Sequence, residues 1–146
     1  MRGLQVLVAS SDAARRDALA EILVRCGLRP LTTTSVSGVR AMFDHGPVHL
    51  VFSEDDLPEG GFHEVLRLAA TMGQRIPVVV CSRHGDLDEY LEAMQSGAFD
   101  FIAPPFSPAE IRFIVSRAPK PLSARHQSRS PYTEAEPVWF GGKSAD

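Results

Sequence analysis

The sequence predicts an α/β domain: a five-stranded parallel sheet, doubly wound by helices on both faces in a (βα)5 order. Three observations predict it. Short runs rich in Val, Leu and Ile alternate five times with segments of helical periodicity. The runs are continuously apolar, which is typical of strands buried on both faces. The connections between them are short, so a crossover helix must join each strand to the next.

The five predicted strands are short and apolar. They span residues 4–9, 28–33, 48–53, 77–81 and 99–103. The second strand contains Pro30, which has no amide hydrogen to donate, and we therefore place it at or near an edge of the sheet.

The five predicted helices carry apolar residues at intervals of three and four, and most begin after a capping side chain. They span residues 13–26, 36–45, 62–72, 87–96 and 108–118, with Asp12, Ser35, Asp86 and Ser107 as caps. The last helix has the strongest start signal, because Ser107 is followed by Pro108 at the first helical position and Glu110 at the third.

The chain divides into one domain, residues 1–118, and a flexible C-terminal tail, residues 119–146. The tail contains Pro, Ser, Arg and Glu with little apolar periodicity, which is typical of a mobile segment. Its Trp139-Phe140 pair either packs loosely, the interpretation we favour, or docks into a groove on this chain or a partner.

Composition narrows the function classes. The formal net charge is -3 and no Lys/Arg run is present, which disfavours direct nucleic-acid binding. The sequence shows neither a signal peptide nor an apolar run near the roughly 20 residues that span a bilayer, so we expect a cytoplasmic protein without membrane contact. Cys26 and Cys81 lie in apolar contexts and are predicted to be buried thiols.

Sites on open parallel sheets form beyond the carboxyl ends of the strands. The residues at those positions are Ser10, Ser11, Glu54, Ser82 and Pro104.

Three stretches, residues 6–12, 50–58 and 93–107, resemble in order and spacing the receiver domain of bacterial response regulators, the CheY-like family. The resemblance covers about residues 4–117 and implies a flavodoxin-like fold. It also implies an aspartate that accepts a phosphoryl group, a Mg²⁺ ion held by that aspartate and an acidic pair, a lysine, and a Ser/Thr with an aromatic residue that respond to the phosphate.

At the positions of this motif the sequence departs from the family. The acidic pair falls on Ser10 and Ser11, the phospho-acceptor on Glu54, and the lysine on Pro104. The switch positions keep their residue types in Ser82 and Phe101. The family's bond after the lysine is usually cis, so the bond between Pro104 and Pro105 is predicted to be cis.

A cleft without the acidic pair and the lysine lacks most of the charge that stabilises phosphoryl transfer. We therefore expect weak or absent Mg²⁺ binding, no cofactor and no enzymatic activity. The resemblance implies a stand-alone pseudo-receiver in a two-component-type phosphorelay pathway, acting by protein–protein interaction with a histidine kinase or a downstream signalling protein. It also implies homodimerisation through the fourth helix, fifth strand and fifth helix, which carry Tyr90, Met94, Phe101, Ile102, Ile111 and Ile114.

Several alternatives stay open. Glu54 either mimics the phosphorylated state or, as we favour, is a solvated loop carboxylate. A degenerate receiver could be phosphorylated at Asp55 or Asp56, although we expect these side chains to face away from the pocket or to lie solvated on the loop. A flavodoxin-like small-molecule binder is disfavoured, because residues 10–13 contain no glycine-rich phosphate cradle.

Overall fold

The computed structural model describes residues 4–119. The elements are β1 (Val6–Ala9), α1 (Ala13–Arg25), β2 (Leu31–Thr33), α2 (Val36–His45), β3 (Leu50–Glu54), β4 (Asp56–Leu57), β5 (Gly60–Gly61), α3 (Phe62–Ala70), β6 (Val78–Cys81), α4 (Leu87–Gln95), β7 (Asp100–Ile102) and α5 (Pro108–Arg117). Five of these strands form one parallel sheet in the order β2-β1-β3-β6-β7, which confirms the predicted fold.

The burial of each strand agrees with its position in the sheet. The residues of β1, β3 and β6 are buried along their whole length, and these strands lie inside the sheet. Strand β2 is only partly buried and lies at an edge, as predicted, with Pro30 just before it. Strand β3 is central, and its last residue, Glu54, lies opposite Cys81.

The core has a layer on each face of the sheet, because successive strand residues point to opposite sides. Val6 and Val8 of β1 pack in a cluster with residues of α1 and α5. Leu7 lies between them and packs in a second cluster with residues of α2 and α3. The sheet is thus covered on both sides, as the continuous apolar strands predict.

The predicted helix caps are confirmed. Asp12 accepts a hydrogen bond from the amide of Arg15 at 2.9 Å. The side chains of Ser35, Asp86 and Ser107 accept from backbone amides in the first turns of α2, α4 and α5.

The acidic segment 54–61, whose Pro and Gly residues predict a turn-rich loop, contains regular structure. Glu54 is the last residue of β3, and β4 and β5 pair as a short antiparallel hairpin. Its turn places Pro58 before Glu59, whose φ is 76°, the combination that a type II turn uses. The amide of Ser37 donates to the Glu59 carboxylate at 2.9 Å, which anchors the hairpin on the start of α2. Composition predicts turns in this segment, but it does not predict the positive φ at Glu59, because a glutamate rarely adopts it.

Both cysteines are free thiols, as predicted. Cys81 is buried, which the sequence also predicts, whereas Cys26 is only partly buried. None of the helices within residues 4–119 combines the length and the apolar character that a membrane span requires. The predicted tail lies outside the described residues apart from its first position, and so does the Trp139-Phe140 pair.

Candidate functional site

The carboxyl ends of β1, β3 and β6 meet at a narrow cleft. Three of the residues selected from the strand ends, Ser10, Glu54 and Ser82, line it. The remaining lining residues, mostly apolar, are Val8, Ala9, Arg15, Leu19, Phe52, Cys81 and Phe106. Parallel strand ends therefore bring together residues that lie far apart in the sequence.

The other predicted site residues lie outside the cleft lining. Ser11 and Pro104 are exposed, and the bond between Pro104 and Pro105 is cis, as predicted. Phe101 is half-buried on β7 and meets the ring of Tyr90 edge-on, with the ring centroids 5.5 Å apart.

Glu54 is paired with Arg15 inside the cleft. The Glu54 side chain is only 4% exposed, and its Oε2 accepts a hydrogen bond from Nε of Arg15. The expectation of a solvated carboxylate is wrong, because β3 extends one residue further than predicted and pairs Glu54 with Cys81. The hydrogen bond to Glu54 raises the pKa of the Arg15 guanidinium, which therefore stays charged.

Arg15 is a site residue that the sequence analysis missed. It lies in the first turn of α1, a turn without acidic residues, where the helix dipole disfavours a cation. A cation at an unfavourable helix position is a signal that a nearby anion holds it there, and that signal was available in the sequence.

The second oxygen of Glu54 has a different environment. Within the described part of the chain, Oε1 is buried and lacks a hydrogen-bond partner. The neighbouring Cys81 thiol has a raised pKa because of its burial and the nearby carboxylates, so it stays protonated and uncharged. The negative charge in the cleft is thus balanced from one side, by Arg15.

Asp55 lies outside the cleft lining, as expected, but it is not solvated. Its side chain is 2% exposed, and its Oδ1 accepts from Nε of Arg83 at 3.1 Å. Asp56 is 71% exposed, with its carboxylate 3.8 Å from the same guanidinium. The expectation of a solvated side chain is therefore wrong for Asp55 and confirmed for Asp56.

Ser82 is buried, and its hydroxyl is turned towards α4. It donates to Oε1 of Glu89 at 2.6 Å and accepts from the amides of His84 and Gly85. Burial raises the pKa of Glu89, and a hydrogen bond with Asp55 acts in the same direction, while the bond from Ser82 lowers it. These contacts tie the ends of β3 and β6 to the first turn of α4.

The residues of the cleft do not fit a divalent metal ion. Mg²⁺ takes carboxylate and carbonyl oxygens in near-octahedral geometry. Glu54 is held by a guanidinium, and the hydroxyl of Ser10 is engaged with the backbone of Asp12. Across residues 4–119, no group of three or more His, Cys, Asp or Glu side chains could hold a metal ion.

Curated relatives of this chain are bacterial regulators. The response regulator protein FleR of Pseudomonas aeruginosa is 28% identical over 113 residues, covering 77% of this chain and 24% of that protein. The uncharacterized transcriptional regulatory protein YbdJ of Bacillus subtilis is 30% identical over 111 residues, covering 76% of this chain and 48% of that protein. The matched region therefore spans between a quarter and a half of these relatives.

Solved structures show the same fold. The receiver domain of NtrX from Brucella abortus is similar with a TM-score of 0.70 and 27% identity, covering 77% of this chain and 95% of that one. The receiver domain of sensor histidine kinase PA1611 from Pseudomonas aeruginosa, which holds a magnesium ion in its active site cleft, has a TM-score of 0.71 and 17% identity, covering 80% of this chain and 97% of that one.

The family model described as the response regulator receiver domain matches residues 6–116, from the first residue of β1 to the penultimate residue of α5. The match spans every element of the parallel sheet and the cleft at its carboxyl edge. This chain belongs to the response regulator receiver domain family, the signalling module of two-component systems.

Proposed function

We propose that this receiver domain signals by binding protein partners and that its cleft is not phosphorylated in the ordinary way. One observation carries the proposal: the residue at the acceptor position, Glu54, is buried and already paired with Arg15. Pro104, at the position of the family's lysine, is exposed and uncharged.

The chemistry supports this reading. Phosphoryl transfer depends on cations that neutralise the charge of the transferred group, and a metal ion with a lysine typically contributes several kcal/mol. In this cleft the hydroxyls of Ser10 and Ser82 carry no charge, and the guanidinium of Arg15 is engaged with Glu54. A phosphoryl group placed there would meet a carboxylate and no free cation among the lining residues.

The proposed contact surface is the face of α4, β7 and α5. Three of the apolar residues on these elements, Ile102, Ile111 and Ile114, are buried in the core and do not contribute to the surface. The apolar side chains that this face exposes are Leu87, Tyr90, Leu91 and Phe113, at 67%, 41%, 45% and 61% exposure. Large apolar side chains exposed together are typical of protein–protein contacts.

A second copy of the chain fits this face. The first turn of α4 presents the exposed Asp88, while α5 presents the exposed Arg112. A two-fold axis would place α4 of one copy against α5 of the other, which pairs opposite charges twice. The proposed partners are thus a second copy and a kinase or downstream protein of a two-component system.

Phosphorylation is tested by incubating the chain with acetyl phosphate and Mg²⁺ and measuring the intact mass. We expect no covalent gain, while a receiver domain with an intact acceptor, run in parallel, gains one phosphate. A gain of one phosphate by this chain refutes the proposal. Three single variants, Glu54→Gln, Asp55→Asn and Asp56→Asn, would then identify the acceptor by loss of the gain.

Self-association is tested by sedimentation velocity across a range of concentrations. We expect a dimer that Phe113→Glu and Leu87→Glu both shift to monomer. Val24→Glu is the matched control, because Val24 is 58% exposed but lies on α1. A wild-type chain that stays monomeric, or a control variant that dissociates like the others, contradicts the proposed surface.

A further inference from the structure

We infer that Arg15 is an internal counter-ion that takes the place of a metal ion in the cleft and keeps divalent cations out. The inference deepens the proposed function, because it concerns the same cleft. It assigns two roles to Arg15: neutralising the carboxylate of Glu54 and excluding metal ions from the cleft.

Two guanidinium groups engage oxygen atoms at the cleft that would otherwise be available as metal ligands. Nε of Arg15 donates to Glu54, and its Nη1 lies 3.6 Å from Oδ2 of Asp12. The next residue, Arg16, donates from Nη1 to the carbonyl oxygen of Ser10 at 3.0 Å. Two positive side chains therefore flank the loop between β1 and α1 and engage oxygens on both sides of it.

Burial makes the Arg15 contact necessary. Glu54 is 4% exposed, and an ionised carboxylate in such a position is strongly unfavourable unless a cation pairs with it. Among residues 4–119, Arg15 is the cation that pairs with Glu54. Arg15 is itself 35% exposed, so it covers the carboxylate from the solvent side of the cleft.

Charge then excludes a metal. A divalent cation approaching Glu54 would have to displace the Arg15 guanidinium or stay close to it, with Arg16 also nearby, and like charges at such distances repel strongly. Glu54 keeps one oxygen, Oε1, without a hydrogen bond in the described structure. The guanidinium thus withholds the other oxygen from a metal ion, and its removal would free both oxygens of Glu54 as ligands.

The first experiment follows amide line broadening by Mn²⁺, a paramagnetic substitute for Mg²⁺, in the full chain. We expect no broadening centred on residues 10, 54 and 82 in the wild type, and selective broadening there in Arg15→Met. Arg25→Met is the matched control, because Arg25 lies on the same helix in an exposed pair with Glu21. Selective broadening in the wild type, or an Arg15→Met variant as silent as the wild type, overturns metal exclusion.

The second experiment is a double-mutant cycle read by melting temperature. We expect Arg15→Met to lower it by about 10 °C and Arg25→Met by about 2 °C at most. Glu54→Gln combined with Arg15→Met should regain much of that loss, because no buried charge remains unpaired. Additive effects overturn the counter-ion role. Arg15→Lys keeps the positive charge, so this variant should stay folded and show no selective line broadening by Mn²⁺. Selective broadening in Arg15→Lys would overturn metal exclusion.

The two proposals fail separately. A phosphate gained from acetyl phosphate would refute the proposed function and leave the cycle between Arg15 and Glu54 unchanged. Binding of Mn²⁺ by the wild type would refute the inference about Arg15, even where the mass of the chain stays constant.

Discussion

Replacing Arg83 with methionine removes the guanidinium that neutralises the buried carboxylate of Asp55. Asp55 is 2% exposed, and Nε of Arg83 donates to its Oδ1 at 3.1 Å. Removal of one partner from a fully buried ion pair costs about 3–5 kcal/mol. Arg83 is 39% exposed, so water already screens part of the attraction, and its own amide still faces Oδ2 at 3.4 Å. We therefore expect Arg83→Met to lower the free energy of unfolding by about 2 kcal/mol.

Urea unfolding followed by circular dichroism measures this loss. With a slope of about 1–3 kcal/mol/M, the midpoint should fall by about 1 M while the slope stays unchanged. Arg67→Met is the control, because Arg67 is 67% exposed and pairs with Glu64 on the surface; we expect a change within about 0.5 kcal/mol. Equal losses in the two variants would show that Asp55 gains nothing from its buried partner, and the reasoning would fail.

Three further predictions concern the site and its supports. The folded state raises the pKa of Glu89, so the contribution of its protonation to stability is present at low pH and is lost as the pH rises through the folded-state pKa. Glu89→Gln keeps an acceptor for the hydroxyl of Ser82 and should therefore be more stable than the wild type at about pH 7. The difference in stability between the two proteins should disappear near pH 4. Urea midpoints measured across this pH range test the prediction, and a difference that stays constant contradicts it. Ser107→Ala removes the cap of α5, whose side chain accepts from the amide of Glu110, and should cost about 1 kcal/mol by calorimetry, with Ser107→Asp retaining most of the stability. Phe52→Ala removes a fully buried ring that lines the cleft and should lower the free energy of unfolding by about 3–5 kcal/mol, measured with urea. A decrease of less than about 1 kcal/mol would mean that neighbouring core residues move in to fill the space.

The fold could be predicted because its signals are local. Continuous apolar runs indicate strands covered on both faces, and capping residues such as Asp12 and Ser107 mark where helices begin. The edge position of β2 was predicted from Pro30, because a proline has no amide hydrogen for a second neighbouring strand, and the structure begins the strand one residue later, at Leu31.

The exposed side of α4 could not be predicted in the same way. Its apolar residues satisfy helical spacing as a set, and that pattern does not tell which of two neighbouring stripes faces the sheet. The structure buries Ala93 and leaves Leu87 and Leu91, one turn apart, at 67% and 45% exposure. The choice depends on how α4 packs against Phe62 and Val80 of other elements, which is a tertiary property.

The Glu54 environment depends on contacts between residues distant in sequence. Burial of Glu54 requires β3 to extend by one residue, which it does by pairing with Cys81 in β6. The counter-ion comes from Arg15, 39 residues away. The position of a positively charged residue at the start of a helix indicates that Arg15 needs a nearby anion. That position does not specify which carboxylate Arg15 contacts.

The carboxylates of Glu54 and Asp55 are neutralised by different arginines. Glu54, the last residue of β3, pairs with Arg15 of α1, and Asp55, the next residue, pairs with Arg83 in the segment after β6. Each arginine is thus engaged with the chain's own carboxylate at short range, and Glu89 adds a further acidic group beside Ser82. A doubly charged phosphoryl group at the carboxyl edge of the sheet would have to draw an arginine away from the buried carboxylate that the arginine neutralises. The proposed absence of phosphorylation therefore rests on the arginines as well, since Arg15 and Arg83 already have anions of their own and neither is free to neutralise a phosphoryl group.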